Sequence, residues 1–434
     1  MRLLGMNRSE RSTTESEVAS QSRLATDVTR PGRHAEPDRE RIDRVRQALQ
    51  HGGVDAVVCA LPKNVLLLSG YWPVVGTSVA IATRDGRIAL AVPADEAGLA
   101  EEGWADELLT FTPGSLRAMQ RAGDAVRAPL SKLCQALRLG GCRVGFEAGE
   151  AVQESSYAAI HLYGASFGAV LADAAPDASW VAADDMLAEL RAVLTPREGQ
   201  AVSRACGIAR TMFRDVRRHV RVGRTETASA AALRRSLATR APGSARGDGF
   251  VYCMAGAHAA LAAGAYARSR GDVTIASGDV VLVHCNSYLD GFWTDITRTY
   301  SVGPPEPRVR AMFDAIFEAR DAALAALRPG VQAATVDRAA RSVLERRGFG
   351  TKFTHSTGHG VGFAAIDHDA MPRLHPASHD VLTSGMVFNV EPAIYEPGVL
   401  GIRHCDVVLL EASGPRILTE FQTTLDELVL HESA

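Results

Sequence analysis

Five side chains in the C-terminal half of the chain are of types that bind divalent metal ions. His284 and Asp295 lie in one strand-like block, His359 lies in a glycine-rich segment, and Glu391 and Cys405 lie in a second strand-like block. Imidazole, carboxylate and thiolate groups are the protein ligands of zinc and of other transition metals. These residues form a metal site only if the fold brings the three segments together.

The first block, residues 280–299, is typical of a β-hairpin with a turn near residues 289–291. Pairing the two strands about the point between Leu289 and Asp290 places His284 opposite Asp295 on one face. We therefore expect these two side chains to meet across the hairpin.

The second block, residues 386–406, follows the same pattern. Pairing its strands about Gly398 places Glu391 opposite Cys405. Arg403 shares the face of Cys405, because alternate residues of a strand point the same way. This block therefore predicts a second acid facing a sulfur atom, with a guanidinium group beside them.

Between the two blocks, His359 is flanked by Gly358, Gly360 and Gly362. Glycine lets the backbone approach a pocket closely, because it carries no Cβ atom. The simpler alternative is a pair of hairpins with a polar lining and no ion. Each residue taken singly favours that alternative, and the prediction of a site depends on the whole set.

The elements that must position these residues fall into two predicted domains. Residues 1–36 are polar and lack an apolar period, which predicts a disordered tail. Alternating helices and strands predict a small α/β domain over residues 37–188. Thr195-Pro196, followed by Glu198, is a helix start with a capping box, and it opens a second domain over residues 189–430. The expected fold class is mixed α/β (α+β), in which both domains contain helices and strands.

The formal net charge of −3 and the 22% of charged residues predict no basic surface for nucleic acid or for an anionic membrane. Seven cysteines without a short-spaced framework favour a reducing compartment. The chain has neither a signal-peptide core nor an apolar run long enough to span a membrane. We therefore expect a cytoplasmic protein.

Three segments together resemble the M24 family, which includes Xaa-Pro aminopeptidases, prolidases, methionine aminopeptidases and creatinase. They are residues 294–299 (TDITRT), 357–362 (TGHGVG) and 390–395 (VEPAIY). The resemblance covers about residues 38 to 428. It implies a creatinase-type N-terminal α/β domain, a C-terminal pita-bread catalytic domain and a homodimer.

Family peptidases hold two divalent ions with Asp, Asp, His, Glu and Glu. By resemblance, Asp295, His359 and Glu391 match three of these positions, whereas His284 and Cys405 replace the first Asp and the last Glu. An imidazole does not bridge two hard ions as a carboxylate does, and a thiolate favours softer metals. Three interpretations remain open: one divalent ion, with zinc or iron favoured and manganese possible; no catalytic metal, as in creatinase; or a retained pair of ions.

The resemblance also implies roles for other residues. Glu391, His355 and His368 are the expected catalytic residues, with Glu391 relaying a proton. His355, His368 and Arg403 are expected to bind the substrate. The family's catalytic histidine aligns with Ala263 here, and the nearby His258 is a possible substitute.

The leading functional hypothesis is a metal-dependent hydrolase of C–N bonds. Its expected substrate is a short peptide with proline after the scissile bond, and a non-peptide amide or amidine is almost equally compatible. The second hypothesis is a metal-independent hydrolase that resembles creatinase or ectoine hydrolase, or a lyase. The third is a binding module without catalysis.

Overall fold

The structure is a computed structural model that describes residues 36–74, 78–112, 121–149, 164–243, 245–264, 268–367 and 369–431. One compact unit takes the described residues up to Ala148 together with residues 164–182. The other takes Gly149 and the described residues from Ala183 onward. The predicted tail lies outside the described residues except for its last residue, and the domain limits at 188/189 stay a prediction. No described helix has both the length and the apolar character that crossing a membrane requires.

The first unit contains one six-stranded sheet with the order β4-β3-β2-β1-β5-β6. The β1–β2 and β2–β3 pairs are antiparallel and the other three pairs are parallel. The strands are β1 (Ala56–Cys59), β2 (Val79–Thr83), β3 (Ile88–Pro93), β4 (Glu107–Phe111), β5 (Arg143–Phe146) and β6 (Ser179–Ala182). The helices are α1 (Arg39–His51), α2 (Pro62–Ser69), α3 (Ala97–Ala100), α4 (Ala122–Ala136) and α5 (Gly164–Ala174), with a 3-10 turn at Ala94–Glu96.

Local signals predicted the start of this unit correctly. Asp38 caps α1 by accepting a hydrogen bond from the Arg41 amide at 3.1 Å, and the helix ends at Gly52. A turn at Asp85 and Gly86, residues typical of hairpin turns, joins β2 to β3. These elements confirm the predicted α/β character of the first unit.

The second unit carries the five candidate ligands. Its helices are α6 (Asp184–Ala192), α7 (Pro196–Arg214), α8 (Val216–His219), α9 (Glu226–Ala238), α10 (Pro307–Ala326), α11 (Ala333–Arg346) and α12 (Leu425–Leu428), with 3-10 segments at Gly256–Ala263 and Gly350–Lys352. Its strands are β7 (Gly247–Ala255), β8 (Val280–Leu289), β9 (Phe292–Trp293), β10 (Ile296–Val302), β11 (Val387–Val390), β12 (Ala393–Glu396), β13 (Leu400–Arg403), β14 (Asp406–Glu411), β15 (Gly414–Ile417) and β16 (Val429–Leu430).

Three sheets make up this unit. The largest has the order β16-β10-β8-β7 with β9 paired to β8, and the other two are β11-β14-β15 and β12-β13. An isolated bridge between Thr297 and Cys405 ties the first sheet to the segment between β13 and β14. A second bridge, from Gly360 to Phe388, ties the glycine-rich segment to β11. These bridges bring the three ligand-bearing segments together.

The predicted capping box at the start of α7 is present. The Thr195 hydroxyl accepts from the Glu198 amide, and the Glu198 carboxylate accepts from the Thr195 amide at 2.8 Å. Both groups are buried, so the cap satisfies main-chain donors that water does not reach. Helices α10 and α11 follow later in the chain, and each packs a buried apolar face.

The two hairpins differ in how well their registers were predicted. The second is as expected, because Ala393 pairs with Arg403 in the register that places Glu391 opposite Cys405. The first is wrong by two residues: His284 pairs with Thr297, not with Asp295. The reason is a two-residue turn at Asp290 and Gly291, which both have positive φ, of 51° and 86°. A shift of two residues keeps each side chain on its face, so Asp295 still approaches His284 diagonally.

Candidate metal centre

A cavity of about 310 Å³ in the second unit contains most of the predicted site. Five of the predicted site residues line it together with the aromatic residues Phe250 and Tyr252. Its lining residues are Phe250, Tyr252, Gly264, His284, Asn286, Asp295, His359, Ile366, Glu391 and Arg403.

Three of the predicted ligands converge at one point of this cavity. One ligand atom each from Asp295, Glu391 and Cys405 lies within 4.8 Å of the other two, and all three residues are buried. The Cys405 sulfur lies 3.7 Å from Asp295 Oδ1 and 3.2 Å from the Asp295 carbonyl oxygen. Two carboxylates and a thiol in this arrangement can hold a divalent cation.

His359 completes this group. Its Nδ1 donates to the Gly360 carbonyl at 3.0 Å, so Nε2 carries the lone pair. Nε2 lies 3.6 Å from Asp295 Oδ2 and 3.7 Å from Glu391 Oε1. The Asn389 amide also approaches Nε2, at 3.0 Å. The imidazole therefore faces the same point as the two acids.

This spacing fits a single ion. Bonds of about 2.0–2.3 Å in a tetrahedral zinc site separate neighbouring ligand atoms by about 3.3–3.7 Å. The His359–Asp295 and His359–Glu391 separations of 3.6 and 3.7 Å lie within that range. Two oxygens, a nitrogen and a sulfur are also a donor set typical of a borderline or soft transition metal.

Backbone contacts fix these side chains. A Cβ atom on Gly358 would lie 1.9 Å from the Asn389 carbonyl oxygen, so only glycine permits this close approach. The Glu391 amide donates to the Thr357 carbonyl at 2.8 Å, and the Cys405 amide donates to the Thr297 carbonyl at 3.0 Å. Gly358 therefore allows the close backbone approach that was predicted for the glycine-rich segment.

Burial changes the acidity of two of these groups. It raises the pKa of Glu391 to about 7, against the opposing effects of the Arg403 guanidinium and of His359. It also raises the pKa of Cys405 well above its usual value, and the charges of Asp295 and Glu391 add to the rise. A bound cation would favour the deprotonated form of both ligands.

His284 lies beside this cluster but outside it. Its Nδ1 is 3.6 Å from Asp295 Oδ1, 2.9 Å from the Thr297 hydroxyl and 3.0 Å from Arg403 Nη2. Its Nε2 contacts Asn286 Oδ1. Both ring nitrogens therefore already face other partners.

Arg403 is the main hydrogen-bond donor of the cavity. Its Nε donates to the Thr297 hydroxyl at 3.0 Å, and its Nη2 donates to the Tyr252 hydroxyl at 2.9 Å. Its Nε also lies 3.9 Å from Glu391 Oε2. The guanidinium places a permanent positive charge next to the two acids.

The remaining predicted residues are placed as follows. His355 is half-buried, and its Nε2 lies 3.1 Å from the Tyr395 hydroxyl, which is 3.4 Å from Arg403 Nη1. Burial lowers the pKa of His355 to about 3. His368 lies outside the described residues. His258 Nδ1 binds the buried Glu226 carboxylate at 2.8 Å, and His258 is not one of the lining residues of the cavity.

Sequence reasoning missed several residues of the cavity. Asn286 could have been found, because it lies two positions after His284 and therefore shares its strand face. Tyr252 and Phe250 come from a neighbouring strand, where no local signal marks them. Tyr252 stacks on His284 with the ring centroids 4.5 Å apart.

The chain matches two family models. Residues 200–412 match metallopeptidase family M24, and residues 41–193 match the creatinase/prolidase N-terminal domain. It is 31% identical over 243 residues to an Xaa-Pro dipeptidase of Pyrococcus furiosus, which covers 56% of this chain and 67% of the relative. It is 27% identical over 379 residues to an uncharacterized peptidase of Bacillus subtilis, covering 87% of this chain and 97% of the relative.

A solved structure has the same fold. The prolidase from Pyrococcus horikoshii OT3 aligns with a TM-score of 0.71 at 25% identity, over 89% of this chain and 99% of the prolidase. The likeness spans both units in chain order, and it agrees with the two family models.

Proposed function

Because the chain belongs to metallopeptidase family M24, we propose that it hydrolyses a C–N bond in a small substrate. The family membership and the two-part fold expected from the resemblance, a creatinase-type domain followed by a pita-bread domain, are confirmed. The convergence of Asp295, Glu391 and Cys405, with the two acids on the wall of the cavity, is the observation that carries this proposal.

The proposed centre holds one divalent ion. Asp295, Glu391 and Cys405 would be ligands, and His359 would supply the fourth atom through Nε2. Zinc or iron is favoured because the set includes a thiolate, and manganese is possible. When bound, such an ion supplies Lewis-acid polarisation and makes water more acidic. His284 is left out of the set, because its Nδ1 faces the Arg403 guanidinium and only one of the two acids, whereas Nε2 of His359 faces both acids.

The protein's own residues would position the reactants. Glu391 is the proposed proton relay, because it is a buried carboxylate on the cavity wall. Arg403 would bind an anionic or carbonyl group of the substrate, since its guanidinium lines the same cavity. His355 would act through its contact with Tyr395. His368 keeps its proposed role in substrate binding on the resemblance alone.

The proposed substrate is a dipeptide or short peptide with proline after the scissile bond. Relatives described as Xaa-Pro dipeptidases support this class. The cavity of about 310 Å³ accommodates a ligand of that size. We also propose a cytoplasmic homodimer, which light scattering of the purified protein would test for subunit number.

A metal-independent hydrolase is the second candidate. The observation that favours it is Arg403, which places a fixed positive charge 3.9 Å from Glu391 without any ion. Such a charge can stabilise a developing oxyanion by itself.

The test combines metal analysis with turnover. We expect about one zinc or iron per purified chain, hydrolysis of Xaa-Pro dipeptides, and loss of both after chelation. Cys405→Ser and Asp295→Asn should lower the metal content, while Cys134→Ser, a buried cysteine of the first unit, should not.

Full activity after chelation and dialysis would select the metal-independent candidate. Unchanged turnover in Asp295→Ala, His359→Ala and Glu391→Ala would refute the proposed centre. A complete lack of turnover on dipeptides and other small amides would refute the hydrolase.

A further inference from the structure

One wall of the cavity is built by two cross-strand pairs of β7 and β8. Tyr252 pairs with His284, and Phe250 pairs with Asn286. His284 and Asn286 share a face because they are two residues apart on one strand, and all four residues line the cavity. This wall lies beside the acids but contributes none of the three clustered ligand atoms.

Hydrogen bonding fixes the tautomer of His284. Arg403 has only donors, and its Nη2 lies 3.0 Å from His284 Nδ1. Nδ1 must therefore accept, which leaves the ring proton on Nε2. The Thr297 hydroxyl fits this arrangement, since it accepts from Arg403 Nε at 3.0 Å and can donate to Nδ1 at 2.9 Å.

The same logic fixes the side-chain amide of Asn286. The Nε2 proton of His284 is donated to Asn286 Oδ1, so the other branch of that amide is the NH2 group. Among the described residues, no hydrogen-bond partner occupies this NH2 group. Asn286 lines the cavity, so its two N–H donors are available to a bound molecule.

We infer that Asn286 is a substrate-binding residue, donating a hydrogen bond from Nδ2 to the carbonyl oxygen of the scissile bond, and that His284 is its positioning residue. The inference rests on the proposed function, because it assumes that a C–N bond next to a carbonyl is cleaved. The carbonyl oxygen becomes negative when water adds to the carbon. A fixed amide donor on the cavity wall stabilises that charge.

This assignment gives His284 a role different from that of a ligand. A metal ligand must direct a nitrogen lone pair at the ion, and a guanidinium cation facing that lone pair opposes a second cation there. Here the Nδ1 lone pair accepts from Arg403, and Nε2 carries the proton. Replacing His284 should therefore change turnover without removing the ion, whereas replacing Cys405 should remove the ion.

The experiment measures kcat, KM and metal content for hydrolysis of Ala-Pro by the full-length, metal-loaded protein. Asn286→Ala and Asn286→Asp should lower kcat about 100-fold or more at unchanged metal content. His284→Ala should cause a similar loss, and the double variant His284→Ala/Asn286→Ala should be no slower than either single variant.

His284→Gln should recover most of the loss, because a glutamine amide can accept from Arg403 and donate to Asn286. Cys285→Ala is the matched control, because Cys285 lies on the same strand and on its opposite face. It should retain the wild-type kcat.

Three results would overturn the inference: a loss of less than threefold in the Asn286 variants, loss of metal in His284→Ala, or additive losses in the double variant. Calorimetric titration of Ala-Pro separates this inference from the proposed function. If the wild type binds Ala-Pro but does not cleave it, the proposed Xaa-Pro dipeptide substrate is refuted, and weaker binding by Asn286→Asp still supports the donor. If Ala-Pro is neither bound nor cleaved, both the proposed dipeptide substrate and this inference are refuted.

Discussion

The two sides of the cavity are built in different ways. The acid side, Asp295, His359, Glu391 and Cys405, is held by the main chain, through contacts such as those of the Glu391 and Cys405 amides with carbonyls of other segments. The arginine side, His284, Asn286 and Arg403, is held by side-chain hydrogen bonds, several of which meet at the Arg403 guanidinium.

Because of this difference, the two sides of the cavity should respond differently to amino-acid substitution. Main-chain contacts do not depend on which side chain a residue carries, so Cys can stand at an acid position without moving the strand. A hydrogen-bond network that is centred on one side chain is disrupted when that side chain is replaced. The acid side should therefore keep its backbone geometry when one ligand is replaced by another residue. On the arginine side, replacing Arg403 should disrupt the positions of the other side chains as well.

The largest expected effect comes from Arg403→Met. It removes the donors that serve Thr297, Tyr252 and His284, and it leaves two buried acids without their positive neighbour. We expect a loss of about 3–5 kcal/mol in the free energy of unfolding, larger after chelation than with metal bound. Urea unfolding of both forms measures it.

Arg308→Met is the control for this change, because Arg308 also pairs with a buried carboxylate, that of Glu396, but is itself exposed. It should cost less than about 1 kcal/mol. A loss of similar size in both variants, or no dependence on chelation, would contradict a special role for Arg403.

The next effect is the pH dependence of stability. Burial lowers the pKa of His284 to about 4 and that of His404 to about 4. Between about pH 6.5 and 4, each of these histidines is protonated in the unfolded chain but not in the native protein. The free energy of unfolding therefore falls as the pH drops from about 6.5 to 4. His284→Gln and His404→Gln should each reduce this slope by about 1.4 kcal/mol per pH unit.

The pair also sharpens the comparison. His404 packs edge-on against Phe317, away from the cavity, whereas His284 lies on the cavity wall. Among the alanine variants of these two histidines, only His284→Ala should change turnover. If His404→Ala changes turnover as strongly, the distinction between a cavity face and a structural face fails.

The smallest expected effect is on metal binding by the double variant His284→Asp/Cys405→Glu. It exchanges one residue on each side for a carboxylate, which is the ligand that bridges hard ions. We expect a second ion per chain, with manganese bound at least about tenfold more tightly than by the wild type, which corresponds to about 1.4 kcal/mol. Elemental analysis and titration would show it, and an unchanged count of one would mean that Arg403 excludes the second ion.

Short-range signals predicted most of the fold. The capping box at Thr195 and the turn at Gly398 specify their local geometry within a few residues, so the start of α7 and the second hairpin register followed directly. The first hairpin was predicted two residues out, because Asp290 adopts a positive φ that its sequence permits but does not require.

The site was only partly predictable, for a physical reason. The convergence of Asp295, Glu391 and Cys405 follows from pairing rules within each hairpin and from the motifs. The hydrogen bonds of His284 with Arg403 and Asn286 do not follow from these rules. Hydrogen bonds between side chains depend on distances that the spacing of residues along the chain does not determine. The residue type of His284 suggested a metal ligand, whereas its hydrogen-bond partners indicate a positioning role.

The contact at Gly358 has a practical consequence for protein engineering. With 1.9 Å between a hypothetical Cβ and the Asn389 oxygen, no other amino acid fits without displacing the segment that presents His359. Random mutagenesis aimed at new specificity should therefore keep position 358 constant and vary the wall residues Phe250 and Ile366. Libraries built that way would vary the substrate while keeping a folded chain.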